Sequence, residues 1–408
     1  MLLKKILICI YLLTFCSQLS GQADFSGYKY SAKLAHDILK DTSSWVSIHI
    51  VLSNQLDYQT WNKKEEVERS ELQNKQRKLI GDLKFNAQNT QGELLNFLQS
   101  SKNVEVNSIK PFWIVNAISC TVKMSRIPEI AARNDVRWIG LNKKLEHTQV
   151  SETNSYTVAS PNKAEKGLIA IGAPEMWALG YTGYGRLAFI ADTGTDPKHP
   201  AISNQYNGLN AGNTASWYSY GNSKSPYDCD RHGTHVTGTI LGLDRQTNDT
   251  IGVAFNAKWI AGDILCGIGT EDNIGAFEWA LNPDGNPETT DDIPDVINNS
   301  WYDPSLTELD CYSVYIPILE SLEAAGIAVV FSAGNSGPEE STITPPHNIN
   351  VNEVNSFTIG ALNGNTNSLP IASFSSNGPS HCPGEGSIKI KPEVSAPGVQ
   401  VRSCLPGG

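Results

Sequence analysis

Short apolar runs alternate with helical stretches from Gly167 onward, and this alternation limits the possible folds more than any other feature. The segments are Arg186–Ala191, His235–Leu243, Trp259–Ile264, Ile274–Leu281, Val296–Asn298, Tyr312–Ala325, Ala328–Ser332 and Ser356–Ala361. Such a pattern predicts an α/β domain built on a parallel sheet. Ligand sites in these sheets gather beyond the carboxyl ends of the strands. Two polar residues sit at such ends: Asp192 follows the run 187–191, and Asn335 follows 329–334. A carboxylate at the end of a buried strand is costly unless it is paired.

A histidine is the natural partner. His232 opens His232-Gly233-Thr234-His235-Val236-Thr237-Gly238-Thr239, where loop becomes helix. An aspartate beside a histidine fixes the imidazole tautomer and stabilises the imidazolium, leaving the ring to act as a general base. Asn335, in Ser332-Ala333-Gly334-Asn335-Ser336-Gly337-Pro338, offers a side-chain amide to a developing oxyanion. The second histidine, His235, reads as a packed structural residue. Each motif has a blander reading. Asp-Thr-Gly also occurs as a strand-end turn and in aspartic proteases. Asp228, Cys229, Asp230, His232 and His235 are all metal-ligand types, but their spacing matches no known zinc site.

Taken together, in the order Asp, His, Asn, the three motifs resemble those of subtilisin-like serine proteases, and the bacillopeptidase-like branch in particular through Asn298-Asn299-Ser300-Trp301 and the run 391–398. The resemblance implies an α/β, subtilisin-like domain over 167–408 with a mainly parallel, doubly wound sheet. It implies Asp192 and His232 as catalytic residues and Asn335 as the oxyanion donor. Ser300 and Trp301 on one side, and Ser332, Ala333 and Gly334 on the other, would line the substrate cleft. No cofactor is needed for such chemistry. A structural calcium near 244–251 is an expectation whose ligands match the family poorly. The family's nucleophile motif, of the Gly-Thr-Ser-Met-Ala type, is not found in residues 1–408, so the reading is of a precursor whose serine lies beyond Gly408. The rival reading is a catalytically inactive subtilase-fold binding protein, and a metal hydrolase is a third.

Residues 45–147 read as a separate small α+β unit. A strand at 45–52 is followed by helical spacing of Leu72, Leu79, Ile80 and Leu83. Strand-like runs follow at 104–109 and 113–122, then a short helix over 124–134 and a strand at 136–141. The order β-α-β-β-α-β is a split βαβ arrangement, and by position it resembles the propeptide of subtilases, which would act as an intramolecular chaperone and inhibitor. Residues 148–166, rich in Ser, Thr and Asn, read as a linker where the leader would be cut. Lys4 and Lys5 before the apolar run 6–15, with small residues at 20 and 21, predict a signal peptide over 1–21 and hence a secreted protein. That run is too short to span a bilayer, and no membrane association is expected.

Charge is unevenly spread. Residues 1–160 hold 20 Lys and Arg against 15 Asp and Glu, a formal balance of +5. Residues 161–408 hold 11 against 27, or −16. The acidic body excludes a nucleic-acid partner, which would need clustered cations. A basic leader on an acidic body is electrostatically complementary. Export permits disulfides. Six cysteines follow the signal segment, five of them in the body, and their pairing is not legible from sequence.

Overall fold

The computed structural model describes residues 29–68, 70–147, 164–267, 271–350, 352 and 356–407. The signal-like segment and residues 148–163 of the expected linker lie outside the described residues.

The first unit runs α1 (Ala32–Lys40), β1 (Trp45–Leu52), α2 (Tyr58–Glu68), α3 (Leu72–Thr90), α4 (Gly92–Gln99), β2 (Lys110–Phe112), β3 (Ala117–Lys123), α5 (Ile127–Ala131) and β4 (Val136–Leu141). Its antiparallel sheet has the order β2-β3-β1-β4, with β3 between the two strands that flank the long helices. The expected strand at 104–109 does not form. The Ser108 hydroxyl donates to Glu105 O and accepts from Thr121 N, so the side chain replaces the ladder and the chain makes a short 3-10 turn over Val106–Ser108. The expected strand at 113–122 is shortened too, because residues 113–116 turn, with Asn116 at φ +42°. The unit begins earlier than expected, since α1 is capped by the Ser31 hydroxyl and buries Leu34.

The second unit runs α6 (Lys166–Ala170), α7 (Ala173–Ala178), β5 (Leu187–Ala191), α8 (Gly208–Ala211), β6 (Trp217–Tyr218), α9 (His232–Leu241), β7 (Leu243–Asp244), β8 (Asp249–Thr250), β9 (Lys258–Gly262), α10 (Glu271–Ala280), β10 (Val296–Asn299), α11 (Tyr315–Ala324), β11 (Ala328–Ser332), β12 (Phe357–Leu362) and β13 (Val394–Pro397). Its seven-stranded sheet has the order β13-β12-β11-β10-β5-β9-β6, and every pairing is parallel. All five residues of β5 are buried, as a central parallel strand covered on both faces requires. Phe189 and Ala191 join the core cluster that contains α10 and α11 residues; Ala188 and Ile190 join the one containing Leu241 of α9 and Trp259. After β5 the chain runs outward to β6 and back through β9, then crosses to β10 and proceeds the other way. The order therefore reverses at β5, and such a switch point opens a crevice at the strand's carboxyl end.

The first unit docks on α10 and α11. Val51, Tyr58, Leu79, Phe112 and Ile114 share one apolar cluster with Ile274, Phe277, Ile318 and Leu322. Gln76 Nε2 donates to Ala325 O at 3.0 Å, and Ser321 Oγ donates to Ile114 O at 3.0 Å. Glu278 Oε2 accepts from Trp113 N at 2.5 Å and from Ile114 N at 3.0 Å. Burial pushes the Glu278 carboxyl up to about 7 despite these bonds. A carboxyl whose pKa rises on docking takes up a proton, so docking is favoured at low pH and loses this contribution as pH climbs from the ordinary glutamate range to about 7. Glu278→Gln should flatten that dependence. Hydrogen-exchange protection of β2 and β3 between pH 5 and 8 measures it, and an unchanged profile would count against the assignment.

Candidate active site

Asp192 begins the loop that leaves β5 at the switch point. Its backbone extends the ladder, with Asp192 N donating to Gly262 O at 3.1 Å, and its side chain is fully buried. His232 begins α9. His232 Nδ1 lies 2.7 Å from Asp192 Oδ1, the same oxygen that accepts from Thr193 N at 2.7 Å. Oδ2 is buried without a hydrogen-bond partner among the described residues. The carboxylate's charge is thus compensated chiefly on the side that faces the imidazole.

Burial opposes the charged form of His232, but the charge and hydrogen bond of Asp192, with Asp228 and Asp230 nearby, outweigh it and raise the pKa above 6.5. The sign follows from linkage: stability from the charged pair is fully present below the unfolded histidine pKa and is lost as pH rises through the higher folded one. A general base must be neutral, so the acidic limb of any activity profile should sit above pH 6.5. Asp228→Asn should move the His232 titration to lower pH, which an NMR titration of its ring protons would read.

Asp228, whose spacing from the neighbouring ligand-type residues matches no known zinc site, anchors the start of α9. Asp228 Oδ1 accepts from Thr193 Oγ1 at 2.8 Å and from Asp230 N and Arg231 N at 3.0 Å each. Its Oδ2 accepts from Thr234 N at 2.8 Å and Thr234 Oγ1 at 2.6 Å. Thr193 Oγ1 in turn accepts from Gly233 N at 2.8 Å. These bonds tie the strand end at Asp192 to the helix start at His232, and they hold Arg231 at φ +142°, a conformation that favours glycine. The neighbouring Cys229 is bridged to Cys266, which lies beyond β9. With its carboxylate spent on five protein donors, Asp228 is a structural anchor. Among the described residues no group of three or more His, Cys, Asp or Glu is placed to hold a metal ion. Asp244 uses its carboxylate on Gln246 N and Thr247 Oγ1 within its own turn.

His235 faces away from the Asp192 pair: its Nε2 lies 3.1 Å from Val401 O, and burial lowers its pKa. His235→Ala should therefore lower the melting temperature, by several degrees for about 1–2 kcal/mol, without shifting the activity profile. Equal loss of turnover in a fully folded His235→Ala protein would reverse the roles of the two histidines.

The other expected residues sit on the same edge of the sheet. Asn299 of β10 pairs with Ala191 of β5 on one side and Phe331 of β11 on the other. Ser300 and Ser332 thus follow at matching depth, one strand apart. Gly334 has φ +102°, and a Cβ there would lie 2.9 Å from Ser376 Oγ. Asn335 is exposed beyond β11; with one strand between, its loop starts about 10 Å from that of Asp192. The Trp301 indole is buried among Phe277, Tyr315 and Phe331, so its ring forms the floor of this edge, and its carbonyl oxygen lies 2.5 Å from Nε2 of the buried His347.

The end of the first unit lies against this edge. Glu146 N donates to Tyr302 O at 3.1 Å and Tyr302 N to Glu146 O at 2.8 Å, an antiparallel pair. Leu145 is buried in the cluster that contains Trp301 and Leu306. His147 stacks on His232, with ring centroids 4.6 Å apart and planes 28° from parallel. Neither Tyr302 nor His147 was singled out from sequence, because nothing local marks a histidine at the end of one unit that lands on a distant imidazole.

Comparison with known proteins agrees with this geometry. The model of the Subtilase family matches residues 188–407. The chain is 34% identical to bacillopeptidase F of Bacillus subtilis (strain 168) over 353 residues, covering 81% of this chain and 23% of that protein. It is 29% identical to subtilisin E of the same strain over 300 residues, covering 73% of this chain and 66% of that protein. It is 30% identical to subtilisin of Bacillus pumilus over 243 residues, 59% of this chain and 75% of that one. The chain therefore spans less than two thirds of the length of the first two relatives. With a matching family model over more than half its length, this chain belongs to the subtilase family.

Proposed function

We propose that the protein is the precursor of a secreted serine endopeptidase. The observation that carries this reading is the Asp192–His232 pair, a fully buried carboxylate 2.7 Å from Nδ1 of an imidazole. His232 Nε2 has no hydrogen bond to any described residue, which suits a ring that must exchange a proton with a nucleophile and a leaving group. A serine supplied outside residues 1–408 attacks the peptide carbonyl, and its proton passes to Nε2. Asp192 keeps Nδ1 protonated and stabilises the imidazolium as the oxyanion forms. Asn335 donates its amide to that oxyanion, and His232 then protonates the leaving amine. Protein substrates add as a strand against the segment 300–302, the mode that the backbone pair at Glu146 already adopts. The first unit, with its tail in the cleft, acts as an intramolecular chaperone and inhibitor until it is cut away.

A fluorophosphonate probe tests the reading. The full gene product should label stoichiometrically on a serine outside residues 1–408, and the mature form should begin within residues 148–166. A labelled serine within 1–408, or no label on a folded full product, would sink the proposal.

A further inference from the structure

We propose that Tyr302 and Asp230 select substrate side chains in this cleft, favouring an acidic residue followed by a histidine. The proposal rests on the protease reading above and specifies its substrates. The tail of the first unit shows what the cleft accepts. The reciprocal backbone bonds between Glu146 and Tyr302 fix its register, leaving each following side chain a definite neighbour.

Glu146 is the residue opposite Tyr302. Its Oε2 accepts a hydrogen bond from the Tyr302 hydroxyl, and this bond, with burial, pushes the phenol up to about 12. A neutral phenol donating to a carboxylate is a charge-assisted bond, and it discriminates against a neutral amide at the same place.

His147 is the next residue. Its ring lies flat on His232 and its side chain is only 14% exposed, so the contact is enclosed. Nε2 of His147 is 3.8 Å from Asp230 Oδ2. Burial, the neighbouring His232 and Lys144 disfavour the cationic form and outweigh Asp192 and Asp230, so the pKa lies below 6.5 and the ring faces Asp230 as a cation only at low pH. A leucine in this place would lose the ring stacking, and a phenylalanine would leave Asp230 unanswered. Asp230 donates its backbone N–H to Asp228 Oδ1 at 3.0 Å, and its carboxylate is 39% exposed beside His147.

Fluorogenic peptides carrying Leu-Glu-His, Leu-Gln-His, Leu-Glu-Leu or Leu-Glu-Phe, cleaved by the complete protease, test the assignment. Glu over Gln should be worth about tenfold in kcat/KM, in line with a hydrogen bond to a charged group. That advantage should vanish in Tyr302→Phe. His should exceed Leu and Phe by about three- to fivefold, an advantage that grows as pH falls and the ring takes up a proton beside Asp230, and Asp230→Asn should remove its advantage over Phe. Equal rates across the four peptides, or preferences unchanged in both variants, would overturn the proposal. Hydrogen exchange in the 408-residue chain reads the same recognition without turnover: Tyr302→Phe and Glu146→Gln should each speed exchange of the paired Glu146 and Tyr302 amides by about tenfold. Unaltered exchange would also overturn it. Faster exchange with no peptide cleaved would instead refute the protease reading and leave the recognition standing.

Discussion

Replacing Asp192 by Asn in the complete protease lowers turnover by about 10⁴-fold while the protein stays folded. The expectation follows from the geometry at Oδ1. In the native protein that oxygen accepts from Thr193 N and lies 2.7 Å from His232 Nδ1. An asparagine is nearly the same shape, so the buried space beside β5 remains filled. Its amide can keep the bond from Thr193 N through oxygen, but it has no negative charge to stabilise an imidazolium. If its nitrogen turns toward the ring instead, it donates to Nδ1 and forces the proton onto Nε2, where the nucleophile needs a lone pair. Both outcomes remove general-base catalysis. The measurement is kcat alongside the melting transition. A loss of less than about tenfold with native stability would mean that Asp192 is not the orienting carboxylate. His232→Ala should be at least as damaging, since it removes the base itself.

Gly233→Ala should cost at least about 10²-fold in kcat/KM, although alanine is the better helix former. A Cβ at 233 would lie 1.9 Å from Gly194 O, where ordinary contacts begin at 3.4 Å. The obstacle is backbone, so no rotamer relieves it. Either the start of α9 or the loop after Asp192 must move by more than about 1 Å, and displacements of that size cost about 10²-fold when they fall between catalytic groups. The bond from Gly233 N to Thr193 Oγ1, 2.8 Å in the native protein, would stretch with it. Overpacking of this kind should also remove about 1–3 kcal/mol of stability. Steady-state kinetics and a denaturant titration of the same preparation separate the two effects. Full activity in Gly233→Ala would show that the helix start tolerates a shift the site geometry forbids.

Much of this molecule is legible in its residues. The runs 187–191, 296–298 and 328–332 are short, apolar and spaced by helix-length segments, so they declare buried parallel strands whatever surrounds them. Asp192 and His232 could be named because each motif is local: a carboxylate ending a buried run, and a histidine opening a helix made of small residues. The strands 45–52 and 136–141 were also readable, because β-branched and aromatic residues recur through them around Ser47, His49 and Arg137. Failures came where a side chain competed with the backbone. Ser108 turned an apparent strand into a 3-10 turn, and Asn116 broke another with a positive φ.

What tertiary structure alone decided is every relation between residues far apart in the chain. Cys229 pairs with Cys266 and Cys311 with Cys382, leaving Cys120 and Cys404 as buried thiols; five cysteines in the body allow many pairings, and only their distances choose. Asp228, read from sequence only as one of five ligand-type residues at no known zinc spacing, ends five donors deep in the join between β5 and α9. His147, the last residue of the first unit and 85 positions before His232, comes to rest flat upon it. Local sequence determines local conformation because propensity and periodicity act within a few residues. Contacts across 37, 71 or 85 positions exist only once the sheet has brought its strand ends together, since no short-range energy distinguishes the partners beforehand.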